Sequence, residues 1–197
     1  MEEASQVATW LSTQSGVVEA WAAFNTVGVE ATIACDVSSL IEAFSPAKIQ
    51  PVKPKEHVVP VLYDLEGDYD LAQCAVQLGV TADEVVRLHN GVTYMVEAVG
   101  FSPGFGYLSG LPTELCGLPR LPTPRKRVPV GAVGVTEWFC GVYPSASPGG
   151  WNLIGRTPLV IVDIAASYFP LRCGDCVRFS RIDADQFKAL EGKRLGD

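Results

Sequence analysis

"TYMVEAVGFSPGFGYLSGL", residues 93–111, joins a short β-rich piece to a glycine hinge that still carries rings. A solvent loop has no use for Phe101, Phe105 and Tyr107, and a strand core has no use for Gly100, Gly104 and Gly106. Glycine lets the backbone turn tightly, so the three rings can be set as a fixed apolar wall. Around it, from about residue 92 onward, β-rich pieces ("GAVGVTEWF", "TPLVIVDI", "CVRFSRI") alternate with Gly/Pro-rich loops. Short strands with glycine corners predict a closed or nearly closed β-barrel. A second loop, "SPGGWNLIGRT" at 147–157, could face the first, with Trp151 as a ring and Arg156 as a charge. Rings with a few aimed polar groups are the usual form of a small-molecule site. The bland alternative is that both loops plug the barrel ends or form a subunit interface.

Ahead of the barrel, "HVVPVLYD" reads as a strand. Leu71, Cys74, Ala75 and Leu78 share one helical face stopped by Gly79, and Thr81-x-x-Glu84 opens a second helix. "FSPAKIQPVKPKEH", 44–57, reads as a Pro/Lys linker. Before it, a helix at 7–14, strands in "GVVEAWAAF" and "VEATIACD", and a helix opened by Ser39-x-x-Glu42 suggest a small α+β unit. The domain division is 1–45 small α+β domain, 46–56 linker, 57–183 barrel, and 184–197 C-terminal tail with a fraying surface helix.

The 197 residues are 48% hydrophobic and 19% charged, enough for a buried core. The net charge of −7 argues against a nucleic-acid binder. No apolar run reaches the ~18–20 residues of a membrane span. "MEEASQVATW" lacks the layout of a secretory signal, so the expected location is cytoplasmic. The six cysteines then read as reduced, mostly buried hydrophobes. "CGDC", 173–176, reads as a turn before a strand, not as half a zinc site or a redox pair; no metal site is expected. "GWNLIGRT" imitates a phosphate loop, but a strand follows where a helix should. With only His57 and His89 available, a Ser/His nucleophile pair is disfavoured, and His89 reads as a helix-end or surface residue. Arg120, Arg125, Lys126 and Arg127, set among prolines, form a cationic spot suited to a carboxylate or phosphate, or simply a solvated cluster.

Three segments in order, "GFSPGFGYLSGL", "LPTPRKRVPVGAVGV" and "GVYPSASPGGWNLIGRTPL", resemble one family, that of KipI, the B component of 5-oxoprolinase (PxpB) and allophanate hydrolase subunit 1. This family is related to the carboxyltransferase region of urea carboxylase. The resemblance covers roughly residues 57–182. It implies an α+β N-terminal ferredoxin-like domain plus a mainly-β cyclophilin-like barrel. Family members usually start with a strand ahead of the first helix, so here the small sheet is one strand short or borrows one. A second departure is Trp138-Phe139-Cys140, where the family has a small polar stretch with a glutamine; this marks a changed substrate or a stickier partner-facing loop.

The resemblance implies a subunit of a heteromeric, ATP-dependent amide or lactam hydrolase, 5-oxoprolinase, opening 5-oxoproline to L-glutamate. ATP is used at the level of the complex. The implied partner is the C component of 5-oxoprolinase, similar to allophanate hydrolase subunit 2, with a LamB/YcsF-like third subunit. Alternatives are a KipI-like histidine kinase inhibitor and a urea or allophanate carboxyltransferase component. On the hydrolase reading, Arg125 and Arg156 hold a carboxylate or phosphoryl group. Tyr107, Tyr143, Ser147 and Thr157 supply hydroxyls, and Trp151 a stacking face beside Phe101 and Phe105. Gly100, Gly104, Gly106, Gly149, Gly150 and Gly155 shape the loops. No residue reads as a nucleophile or general base.

Overall fold

The computed structural model describes residues 2–45, 53–63, 67 and 69–196. They fall into two compact units, Met1–Lys55 and Glu56–Asp197. Most of the expected linker, 46–52, lies outside the described residues.

The first unit runs α1 (Glu2–Leu11), β1 (Val17–Ala23), β2 (Thr26–Ala31) and α2 (Val37–Ala43). Helix α1 starts earlier than expected because Ala4, Ala8 and Leu11, at helical spacing, are its buried stripe. The second strand also shifts. Ala23 pairs with Thr26, so Phe24 and Asn25 close a two-residue hairpin turn, with Phe24 at φ 55°. Residues 32–36 then leave the sheet, and Asp36, rather than Ser39, caps α2 by accepting the Ser38 and Ser39 N–H groups. Among the described residues of this unit two strands are seen, and they pair with each other.

The second unit contains β3 (Glu56–Val61), α3 (Leu71–Leu78), α4 (Ala82–Asn90), β4 (Thr93–Val99), β5 (Gly106–Ser109), β6 (Arg125–Val128), β7 (Ala132–Thr136), β8 (Phe139–Val142), β9 (Ser147–Gly149), β10 (Asn152–Arg156), β11 (Cys176–Arg181) and α5 (Ala184–Leu190). Both helices ahead of β4 end and begin as their residues dictate. Gly79 takes the left-handed conformation after α3, and the Thr81 hydroxyl accepts the Glu84 N–H at the start of α4.

Seven strands form one sheet in the order β10-β7-β8-β5-β4-β11-β3. Leu62, just past β3, exchanges two backbone hydrogen bonds with Arg156 of β10, at 2.8 and 2.9 Å. The two end strands thereby meet, and the sheet becomes a nearly closed barrel. Gly155 permits this seam, since a Cβ there would lie 2.6 Å from Val61 Cγ1 and 3.0 Å from the Leu62 carbonyl oxygen. Strands β6 and β9 make a separate two-stranded ribbon. Inward residues such as Val61, Tyr94, Val96, Leu108, Val133, Val135, Ile154 and Val177 form the main core. Each large side chain so buried contributes about 1.5–3 kcal/mol.

Two expectations fail in this unit. "TPLVIVDI" forms no strand of the barrel. Instead Val160 N donates to the Lys193 carbonyl and Leu195 N to the Val160 carbonyl, so this segment pairs with the chain's last residues. In the tail, Asp183 and Gln186 complete a capping box on the surface helix α5, and Leu195 beyond it is buried in the core. His89 is not a surface residue but fully buried. Among the described residues no helix is long and apolar enough to cross a membrane.

Candidate functional site

The two glycine-bearing loops meet. The 100–106 hinge leads into β5, and the 147–150 segment leads from β9 into β10. Their rings pack edge to face, the geometry that ring quadrupoles favour. Phe105 is the hub, with centroids 5.4 Å from Phe101, 5.2 Å from both Tyr107 and Tyr143, and 5.3 Å from Trp151. Tyr107 and Trp151 lie 5.8 Å apart. Phe105, Tyr143 and Trp151 are buried, whereas Phe101 stays 62% exposed.

Glycines make this packing possible by lacking a Cβ. One at Gly141 would sit 2.8 Å from the Phe105 ring and 2.9 Å from the Gly106 carbonyl oxygen. Phe101 itself holds φ 70°, a conformation that L-residues with bulky side chains rarely adopt.

The rings wall a cleft of about 80 Å³, completed by the Gly149-Gly150 backbone and by Arg120 on its rim. Burial pushes the Tyr143 phenol above its ordinary pKa. The Trp151 backbone, Arg120 and Arg125 pull it partly back. The cleft can bind and orient a small molecule between aromatic faces and one guanidinium. Among the described residues that line it there is no thiol, imidazole or carboxylate.

Of the residues expected at the site, Phe101, Phe105, Tyr107, Tyr143, Gly149, Gly150 and Trp151 line this cleft. Gly100, Gly104 and Gly106 lie in the hinge that carries its rings. Ser147 lies on the adjoining strand with its hydroxyl buried and unpartnered.

Arg125 is not a cleft residue. Its guanidinium meets Asp70 at 2.6 Å and the Trp151 carbonyl at 3.3 Å, and is three-quarters or more removed from solvent. Arg156 and Thr157 belong to the barrel seam with Gly155. Arg156 Nε donates to the Val130 carbonyl and its guanidinium lies over Phe187, while Thr157 is buried and its hydroxyl accepts the Leu159 N–H. The sequence displays a cluster of cations but not which of them is already paired, so Arg125 looks there as available as Arg120.

The Trp138-Phe139-Cys140 departure divides three ways. Trp138 is exposed, Phe139 packs 6.1 Å from Tyr107 at the edge of the ring cluster, and Cys140 turns into the barrel core. There its sulfur lies 3.2 Å from His89 Nε2, and His89 Nδ1 lies 2.7 Å from the Tyr63 hydroxyl. His89 also stacks at 4.4 Å on Phe179. Burial holds the imidazole pKa down at about 3 and pushes the Cys140 thiol up, so both are neutral. Thiol and imidazole are adjacent, hydrogen-bonded and wholly buried.

Sequence reading misses Asp70, which looks only like the start of a helix, and the buried pair of His57 with Asp175 at 3.1 Å. For His89 a signal exists: Val85 and His89, one turn apart, share the buried face of α4. Among the described residues no group of three or more His, Cys, Asp or Glu is placed to hold a metal ion.

A family model described as the carboxyltransferase domain, subdomain C and D, matches residues 1–170. The chain belongs to this family. This carboxyltransferase-domain chain is 48% identical over 122 residues to a protein of Escherichia coli O157:H7 named as the B component of 5-oxoprolinase, the match covering 61% of this chain and 56% of the relative. It is 38% identical over 134 residues to one of the same name from Bacillus subtilis (strain 168), covering 68% and 55%. The chain thus spans about half the length of these curated relatives. The solved structure of TTHA0988 superposes with a TM-score of 0.78 at 33% identity, covering 93% of this chain and 38% of that one. The urea carboxylase of Kluyveromyces lactis shares the fold, with a TM-score of 0.69 at 17% identity over 96% of this chain and 21% of that one.

Proposed function

We propose that this chain is a non-autonomous subunit of a 5-oxoprolinase-type hydrolase, opening the lactam of 5-oxoproline to L-glutamate with ATP. The observation that carries the reading is the 48% identity to the B component of a 5-oxoprolinase. The cleft fits a binding and orienting role: it has rings, hydroxyls and a guanidinium and, among the described residues, no thiol, imidazole or carboxylate. The reacting groups then come from partner subunits in a cytoplasmic complex. These are the C component of 5-oxoprolinase, similar to allophanate hydrolase subunit 2, and a LamB/YcsF-like protein.

Among the described residues one guanidinium lines the cleft, whereas a triphosphate is usually held by several donors. In this proposal the nucleotide is bound elsewhere in the complex. The small unit is taken as a ferredoxin-like domain, and the barrel as cyclophilin-like. Co-expression with the partner subunits tests the assignment. The complex should release glutamate from 5-oxoproline only with ATP and only with this chain present. Turnover by the chain alone, or undiminished turnover without it, refutes the assignment.

A further inference from the structure

We infer that the ring-walled cleft is a binding site for a small cyclic carboxylate, with Arg120 as its anion partner. This deepens the proposed hydrolase reading, but it is tested on the chain alone and does not stand or fall with the complex. Among the described residues Arg120 is the one charged side chain lining the cleft. It is exposed and makes no ion pair with any described residue. The other nearby guanidinium, Arg125, is already neutralised by Asp70 at 2.6 Å. The cleft therefore offers one uncompensated positive charge in a chain whose net charge is −7.

A single guanidinium matches one carboxylate through two parallel N–H···O bonds. A phosphate dianion would leave charge uncompensated against the aromatic walls. Phe101, Phe105, Tyr107, Tyr143 and Trp151 supply faces and edges suited to a compact, flat, apolar body. Two further observations concern these same loops, one of unused polar groups and one of backbone conformation. Among the described residues three buried hydroxyls lack a hydrogen-bond partner, and two of them are Ser102, next to Phe101, and Ser147, two residues before Gly149. Phe101, at the rim, is held at φ 70°, a backbone cost that is most often retained where a site needs a side chain in a fixed place.

The test is calorimetric titration of the full chain with three probes: 5-oxoproline, 2-pyrrolidinone (the same ring without the carboxylate) and inorganic phosphate. 5-Oxoproline should bind, and 2-pyrrolidinone and phosphate should bind at least about tenfold more weakly. Arg120→Gln should weaken 5-oxoproline binding about tenfold or more while leaving the melting temperature unchanged, since the side chain is exposed. Arg127→Gln, also exposed and outside the cleft, should bind as the parent does. Equal binding of 2-pyrrolidinone, an unaffected Arg120→Gln, preferred binding of phosphate, or no binding of any probe overturns the inference. None of these results touches the subunit assignment, which is read from turnover by the complex.

Discussion

Asp70 and Arg125 form an ion pair of 2.6 Å in the large unit, and it fixes the wall of the cleft rather than facing it. The second oxygen of the same carboxylate accepts the Leu153 N–H at 2.6 Å, and Arg125 also reaches the Trp151 carbonyl. Helix α3, ribbon strand β6 and the start of β10 are thereby tied at one point, at the Trp151 backbone. Arg125→Met would leave a buried carboxylate without its cation, which costs about 3–5 kcal/mol. Urea unfolding should show that loss. A change below about 1 kcal/mol would mean that the pair is not structural.

Gly141→Ala should destabilise the chain by about 1–3 kcal/mol, because the new methyl meets the Phe105 ring and the Gly106 backbone at under 3 Å. Gly150→Ala is the contrast, with no atom nearer than 3.6 Å to the added Cβ. Its melting temperature should match the parent's. Equal melting of both variants would contradict the tight ring packing.

Stability should fall with acid through His89. Burial holds its pKa at about 3 in the folded chain, against an ordinary 6.5. Between those values the unfolded chain binds a proton at this residue and the folded chain does not, so stability present above pH 6.5 is lost as pH falls towards 3. The slope is about 1.4 kcal/mol per pH unit, or roughly 2–3 kcal/mol between pH 7 and 4.5. Urea midpoints of the parent and of His89→Gln at both pH values give the comparison. An identical pH dependence in the two proteins would count against a neutral buried imidazole.

Thiol labelling should separate the cysteines by burial. Cys74 and Cys140 are both fully buried, and burial raises the Cys74 thiol pKa to about 12, with Asp70 adding to the effect. Alkylation followed by mass spectrometry should find both unmodified in the native protein and modified after denaturation. Fast native labelling of Cys140 would show that the barrel interior opens.

Much of this architecture is legible in the sequence because it rests on local rules. Gly79 and Thr81 bound their helices as their chemistry dictates, and the alternation of glycine with rings at 100–107 marks a packed loop. What is not legible depends on partners distant in sequence. Asp70 and Arg125 are 55 residues apart, so a paired guanidinium looks the same as that of Arg120, which meets no carboxylate among the described residues. "TPLVIVDI" has strand composition, yet its backbone partners are Lys193 and Leu195. The Phe24-Asn25 turn escapes a sequence reading because Phe at positive φ carries no turn signature.

The central claim is that the ring-walled cleft is the working surface of this subunit, and Phe101→Asn tests it most directly. Asparagine tolerates the left-handed backbone at φ 70° while removing a ring that is 62% exposed, so the fold should survive. The measurement is glutamate released from 5-oxoproline, with ATP, by the reconstituted complex carrying either chain. A drop of about tenfold or more at unchanged melting temperature is the expected result. Undiminished release by the Phe101→Asn complex would contradict the claim.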